Sequence, residues 1–195
     1  MLWQTTNHAQ AIKQDSQEYL TTALLQLLEA HQFEDITVTQ VVKRAGVSRM
    51  AFYRNFDSLE QVLIDYFTPI IETHFKAVLQ QQSAELKLAA LSTFFIELEA
   101  TLKLADKRGF EPIVRDVFTD NIQQFYQTID PWRSLDAIRQ KYYVQFMAVG
   151  VYQIWRDWLL GGQKESLSFI HQLLANLQHH MDLAVSQPIS GLKKR

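Results

Sequence analysis

No cysteine occurs in the sequence, which excludes a disulfide, a thiolate zinc site and a thiol redox switch. Only six Gly and four Pro punctuate 195 residues, so long turn-rich loops and low-complexity linkers are excluded as well. Apolar runs stop well short of a membrane span, and the start MLWQTTNHAQ has neither the charged end nor the apolar core of a secretion signal. A cytoplasmic location is the expectation. A large net charge is missing too: the formal value is −2 and the pI about 6.3, so any nucleic-acid-binding surface must be local.

What remains is a folded composition, 47% hydrophobic and 21% charged, of a length that supports one large helical domain or a small domain beside a larger one. Helical periodicity runs through nearly the whole chain, without strand-like alternation or internal repeats, and the expected fold class is all-α. The first helix is expected from about Asp15 to His31, with Leu20, Leu24, Leu27 and Leu28 on one face. Thr37 and Gln40 have capping-box spacing at the start of a short helix that Gly46 ends. Ser48 caps a second short helix reaching about Asn55, and Ser58 with Gln61 forms another capping box before a longer helix. Pro69 should kink or end that helix.

Further on, Ser83 caps a helix carrying Leu86, Ala90, Phe94, Leu98 and Leu102 until Gly109. The segment Phe110 to Ile129 is apolar at Ile113, Val117, Phe118, Ile122, Phe125 and Ile129, with a break expected near Asp120. Asp130-Pro131 punctuates the chain, and a long helix runs from Ser134 to Gly161-Gly162. The last helix spans about Glu165 to Val185, before a frayed basic tail, SGLKKR.

One stretch departs from the acidic balance. Across the first 66 residues, Asp15, Glu18, Glu29, Glu34, Asp35, Asp57, Glu60 and Asp65 outnumber Lys13, Lys43, Arg44, Arg49 and Arg54. Yet VVKRAGVSRMAFYRNF, Val41 to Phe56, holds four of those five cations and no acid. Two short helices about a glycine turn, with Val41, Ala45, Val47, Phe52 and Phe56 apolar, have the patterning of a helix-turn-helix. Its second helix would enter the major groove by its N-terminal residues, Ser48, Arg49, Met50 and Ala51. Arg49 and Arg54 can neutralise phosphates or fork onto guanine, and Lys43 and Arg44 can reach the flanking backbone. Tyr53 and Asn55 offer hydrogen bonds, Thr37 and Thr39 stand at a helix N-terminus suited to a phosphate, and Met50 and Ala51 suit thymine methyls.

The segment ITVTQVVKRAGVSRMAFYRNFDSLEQVL resembles the N-terminal DNA-binding segment of TetR-family transcriptional regulators, through Thr37, Ala45-Gly46-Val47-Ser48, Phe52-Tyr53 and Phe56. About the first third of the chain carries the resemblance. It departs at Leu59, where the family usually has a phosphate-binding lysine, and at Gln32, where a glycine commonly ends the first helix. The resemblance implies a DNA-binding domain at 1–66, a ligand-binding and dimerisation domain at 67–195, and a pseudo-palindromic double-stranded operator read by a homodimer. It implies repression as the usual outcome and a cavity for a small apolar or aromatic effector.

Aromatics of the second part, Phe75 and Tyr143 among them, are singly core residues but collectively able to line such a cavity. The candidates are Phe94, Phe95, Phe118, Phe125, Tyr126, Tyr142, Phe146 and Trp155. For the dimer interface, the last two helices offer Trp158, Leu159, Ile170, Leu174, Leu177 and Met181. No enzyme is expected: the sequence has no glycine-rich phosphate loop, nucleophile elbow or apolar carboxylate pair, and adjacent His179 and His180 lack metal-ligand spacing. No cofactor or metal is called for. Two alternatives stand beside the effector-released repressor: a TetR-like regulator controlled by a protein partner with weak or no DNA binding of its own, and a helical enzyme.

Overall fold

A computed structural model describes residues 3–127 and 135–187; Ile129, Asp130-Pro131, Ser134 and the SGLKKR tail lie outside the described residues. Among the described residues there are eight α-helices and no strand, so the fold is all-α. They are α1 (Trp3–Leu28), α2 (Val38–Ala45), α3 (Arg49–Asn55), α4 (Leu59–Leu79), α5 (Ala84–Arg108), α6 (Glu111–Tyr126), α7 (Ala137–Leu160) and α8 (Leu167–Ser186). A 3-10 turn, Phe33–Asp35, joins α1 to α2. The chain divides into two compact units, Met1–Ile70 with Ala100–Val117, and Ile71–Glu99 with Phe118–Arg195.

In the first unit, α1 begins twelve residues before the expected Asp15. The stretch from Gln4 to Asp15 has no Gly or Pro and several good helix formers, so backbone helicity continues where the apolar period does not. The period marks only the packed part: Leu20, Leu24 and Leu28 are fully buried, each stabilising by about 1.5–3 kcal/mol. Helices α1, α2 and α3 pack on one another. The C-terminal end of α5 and the start of α6 belong to this unit, where Phe110 stacks on Phe67 at 6.2 Å. Arg108 donates to the carbonyl of Glu29, and Gln32 Nε2 donates to the carbonyl of Lys107 at 3.2 Å. Gln32 has φ −67° and ψ 146°, so no glycine is needed at that position.

Three local expectations are refined. Of the two outcomes expected at Pro69, a kink or an end, the end does not occur, and α4 continues to Leu79 although the ring withholds the donor to the Asp65 carbonyl and crowds that turn. No break occurs at Asp120, which is exposed in an uninterrupted α6, where an aspartate costs only a few tenths of a kcal/mol, about 0.7 at most. The Ser58 box is half formed: Gln61 N donates to Ser58 Oγ at 3.1 Å, but the Gln61 side chain turns forward to Asp65 at 2.6 Å.

In the second unit, the N-cap of α7 is Asp136, whose Oδ1 accepts from the backbone of Ile138 and Arg139 at 3.1 and 3.0 Å. Ser166 caps α8 by accepting from Phe169 N at 3.2 Å. The two helices run antiparallel: the Trp158 indole donates to the Glu165 carbonyl at 2.9 Å near the turn, and Arg139 reaches the Val185 carbonyl at 3.2 Å at the far end.

Candidate nucleic-acid interface

Local chemistry builds the reading element. Gln40 N donates to Thr37 Oγ1 at 3.3 Å while Thr37 N donates to Gln40 Oε1 at 2.7 Å, closing the capping box that starts α2. Gly46, at φ 69° and ψ 25°, ends that helix in the left-handed region, and Val47 N reaches back to the Val42 carbonyl at 3.1 Å. Ser48 Oγ then accepts from Ala51 N at 3.1 Å and starts α3.

Phe52 and Phe56 are buried, which fixes the rotation of α3. At about 100° per residue, Arg49, Tyr53, Met50 and Arg54 then occupy one outward arc of about 140°. All four are exposed, Met50 by 83% and Tyr53 by 53%. The Tyr53 ring is held edge-on to Phe52 at 5.3 Å, so its hydroxyl projects from a fixed base. Lys43, Arg44, Thr37, Thr39 and Ser48 are exposed around the same turn, whereas Ala51 is half-buried.

Besides Thr37 and Ser48, whose hydroxyls form the caps, two candidates are engaged within the protein. Arg44 Nε donates to Gln26 Oε1 of α1 at 2.8 Å, which fixes the guanidinium stem beside the first helix. Asn55 is half-buried and folds back, its Nδ2 donating to the Ala51 carbonyl at 2.6 Å, while its Oδ1 is buried without a partner.

Residues 20–66 match the family described as "Bacterial regulatory proteins, tetR family". This is a TetR-family DNA-binding domain. The matched segment contains every exposed cation of the turn, and the chain is a DNA-binding transcriptional regulator. Among solved structures, the dihydroxyacetone kinase operon activator DhaS is similar over 87% of this chain and 97% of its own, at 17% identity and a TM-score of 0.48. No curated protein matches.

The TetR-type domain is joined through α4 to the second unit, where α4, α5, α6 and α7 bound an apolar chamber of about 110 Å³. Phe94, Phe95, Phe118, Phe125 and Trp155 line it as a group, together with Phe75, Leu91 and Val151, which were not among the pocket candidates. Two further hollows share Phe75 and Phe125. One of about 170 Å³ adds Tyr126, His171 and Gln178, and an open cleft of about 410 Å³ is edged by Glu72, Lys76, Asn121 and Gln124. Behind the chamber, His74 stacks on Phe94 at 5.2 Å and bonds Glu97 at 2.9 Å.

Tyr126 and Tyr143 meet edge to face at 5.8 Å, and Tyr143 donates to Asp182. Burial, with the Asp182 charge behind it, raises both phenols well above their usual pKa, so both stay neutral at ordinary pH. Tyr142 and Phe146, expected among the pocket aromatics, point the other way and are 60% and 61% exposed. Helix α7 is apolar on two sides, and Tyr143, Val144, Met147 and Trp155 fill the inner one.

The interface candidates also divide. Trp158, Leu159 and Ile170 are buried in the chain's own core, Leu174 and Met181 are half-buried, and Leu177 is exposed. The outward apolar rows are instead Ile138, Tyr142, Phe146 and Val149 on α7, and Phe169, Leu173 and Leu177 on α8. No helix among the described residues is long and apolar enough to cross a membrane, and none of their His, Asp and Glu side chains cluster as a metal site.

Proposed function

We propose that the chain is a homodimeric, cytoplasmic repressor that binds a pseudo-palindromic operator and is released when a small molecule enters the second unit. The observation that carries this reading is the outward arc of Arg49, Met50, Tyr53 and Arg54 on a short, capped helix within the TetR-type segment. One such helix covers only a few base pairs, so useful affinity needs two copies about 34–36 Å apart. The exposed apolar rows of α7 and α8, repeating every three or four residues, support a four-helix contact with a two-fold mate.

Release follows from geometry in this reading. Helix α4 starts directly after the reading element, so a ligand that favours another tilt of α4 changes the separation of the two reading helices. Such coupling is typically about 1–3 kcal/mol. Three of the chamber's lining residues, Phe75, Val78 and Leu79, lie on that same helix.

Titration of the protein onto its own promoter DNA across a salt series tests the reading. A steep salt slope with sequence preference is expected. Binding no stronger than to random DNA would favour the partner-controlled regulator, for which the absence of the usual lysine at Leu59 speaks. Leu59→Lys is expected to tighten operator binding and to steepen the slope by about 0.9 per half-site, the signature of one added phosphate contact. Phe146→Glu tests the dimer: a charge placed among apolar side chains should weaken dimerisation by at least about a hundredfold. Sedimentation equilibrium measures it, and an unchanged dimer would remove α7 from the interface.

A further inference from the structure

The walls of the α4–α7 chamber restrict what it can hold. Phe75, Phe94, Phe95, Phe118, Phe125 and Trp155 surround it, and no lining residue carries a charge, amide or hydroxyl. Apart from the Trp155 indole N–H, the side chains of the walls offer a ligand's polar groups no partner, so an amide or hydroxyl placed there is strongly penalised and an ion far more so. Size is limited as well: the chamber measures about 110 Å³, and an apolar cavity of about 150 Å³ stays dry and takes up benzene.

Leu79 stands between the chamber and the cleft, and Val151 between the chamber and the other hollow, but two rings border all three. Phe75 and Phe125, with ring centroids 6.3 Å apart, border the chamber and both neighbouring hollows. They separate an apolar space from one reaching Tyr126, His171 and Gln178, and from the cleft edged by Glu72 and Lys76. We propose that the chamber takes an uncharged molecule no larger than a single aromatic ring with at most one methyl group, and that Phe75 is the specificity-determining partition that excludes larger rings. This rests on the effector reading above and names the class of effector that the second unit accepts.

Calorimetric titration of the full-length protein with toluene, naphthalene and benzoate tests the assignment. Toluene should bind with a negative heat-capacity change, naphthalene about tenfold more weakly despite its greater hydrophobicity, and benzoate at least about a hundredfold more weakly than toluene. Phe75→Ala, which opens the partition, should bring naphthalene to at least the affinity of toluene. Leu91→Phe and, separately, Val151→Phe fill the chamber and should abolish toluene binding; circular dichroism verifies folding of each variant.

Naphthalene or benzoate binding as tightly as toluene to the unaltered protein would overturn the proposal, as would no binding of toluene, or toluene binding that survives both filling substitutions. The order of the three ligands on the unaltered protein decides the matter if Phe75→Ala does not fold. Toluene that binds as expected but leaves the operator complex intact would support the chamber assignment and overturn the release mechanism, so the two readings fail separately.

Discussion

Replacing Arg49 and Tyr53 together by alanine should remove operator binding while leaving the fold and the dimer intact. Both side chains are exposed, Tyr53 by 53%, and the Tyr53 ring touches the core only at the edge of Phe52. The double variant should keep its helical content and lose no more than about 1.5 kcal/mol of stability, the upper worth of that ring contact. On DNA the expected loss is large, because each well-formed contact is worth about 1–3 kcal/mol and a dimer forfeits four of them. Even about 1 kcal/mol apiece gives a loss of about a thousandfold. A mobility-shift titration measures it. The single variants then separate the roles: loss of a phosphate contact lowers the salt slope for every sequence, whereas loss of a guanine fork relaxes preference at one position. An unaffected double variant would mean that α3 is not the reading helix.

Phe52→Ala should act from the opposite side of the same helix. Phe52 is fully buried, lies 6.0 Å from the Phe56 ring and 5.3 Å from that of Tyr53, and sits where α3 meets α1. Truncating a buried phenylalanine costs about 3–5 kcal/mol, a large share of the about 5–15 kcal/mol that holds a typical domain together. Urea unfolding should show the unfolding free energy falling by that amount, with the midpoint moving to lower urea accordingly. DNA affinity should fall with it, since the rotation that turns Arg49 and Arg54 outward depends on the phenylalanines turned inward. Phe52→Leu should recover most of both. A midpoint unchanged in Phe52→Ala would show that α3 is positioned by something other than this side chain.

The capped pair α2 and α3 was legible because everything that shapes it is local. Thr37 caps Gln40 three residues on, Ser48 caps Ala51 likewise, and Gly46 adopts the left-handed turn that no other residue there takes without strain. Such contacts need no knowledge of the rest of the fold. Asn55 has a local engagement that composition conceals: its amide satisfies the Ala51 carbonyl four residues back. Arg44 has a non-local one, since Gln26, which accepts from its Nε, lies eighteen residues earlier on another helix.

In the second unit the periodicity of α7 did not distinguish its two apolar sides. Tyr142 and Phe146 share a spacing with Ile138, Tyr143 shares one with Met147, and nothing in either pattern states which row meets the protein's interior. Likewise Trp158, Leu159 and Ile170 suited an intermolecular stripe until the antiparallel pairing of α7 and α8 enclosed them. Phe75 is among the aromatics able to line a cavity, but its place as a shared wall depends on Phe118 and Phe125 of α6 beside it.

By itself, then, the order of residues determined the all-helical class, the capped turn and the outward cations, because helix period, caps and left-handed glycine are settled within a few residues of chain. Only the tertiary structure decided which aromatics enclose the chamber, which remain open to a partner, and that Gln32 and Arg108 join elements more than seventy residues apart. Period fixes the direction in which a side chain points along its own helix; which helix it meets depends on packing the whole.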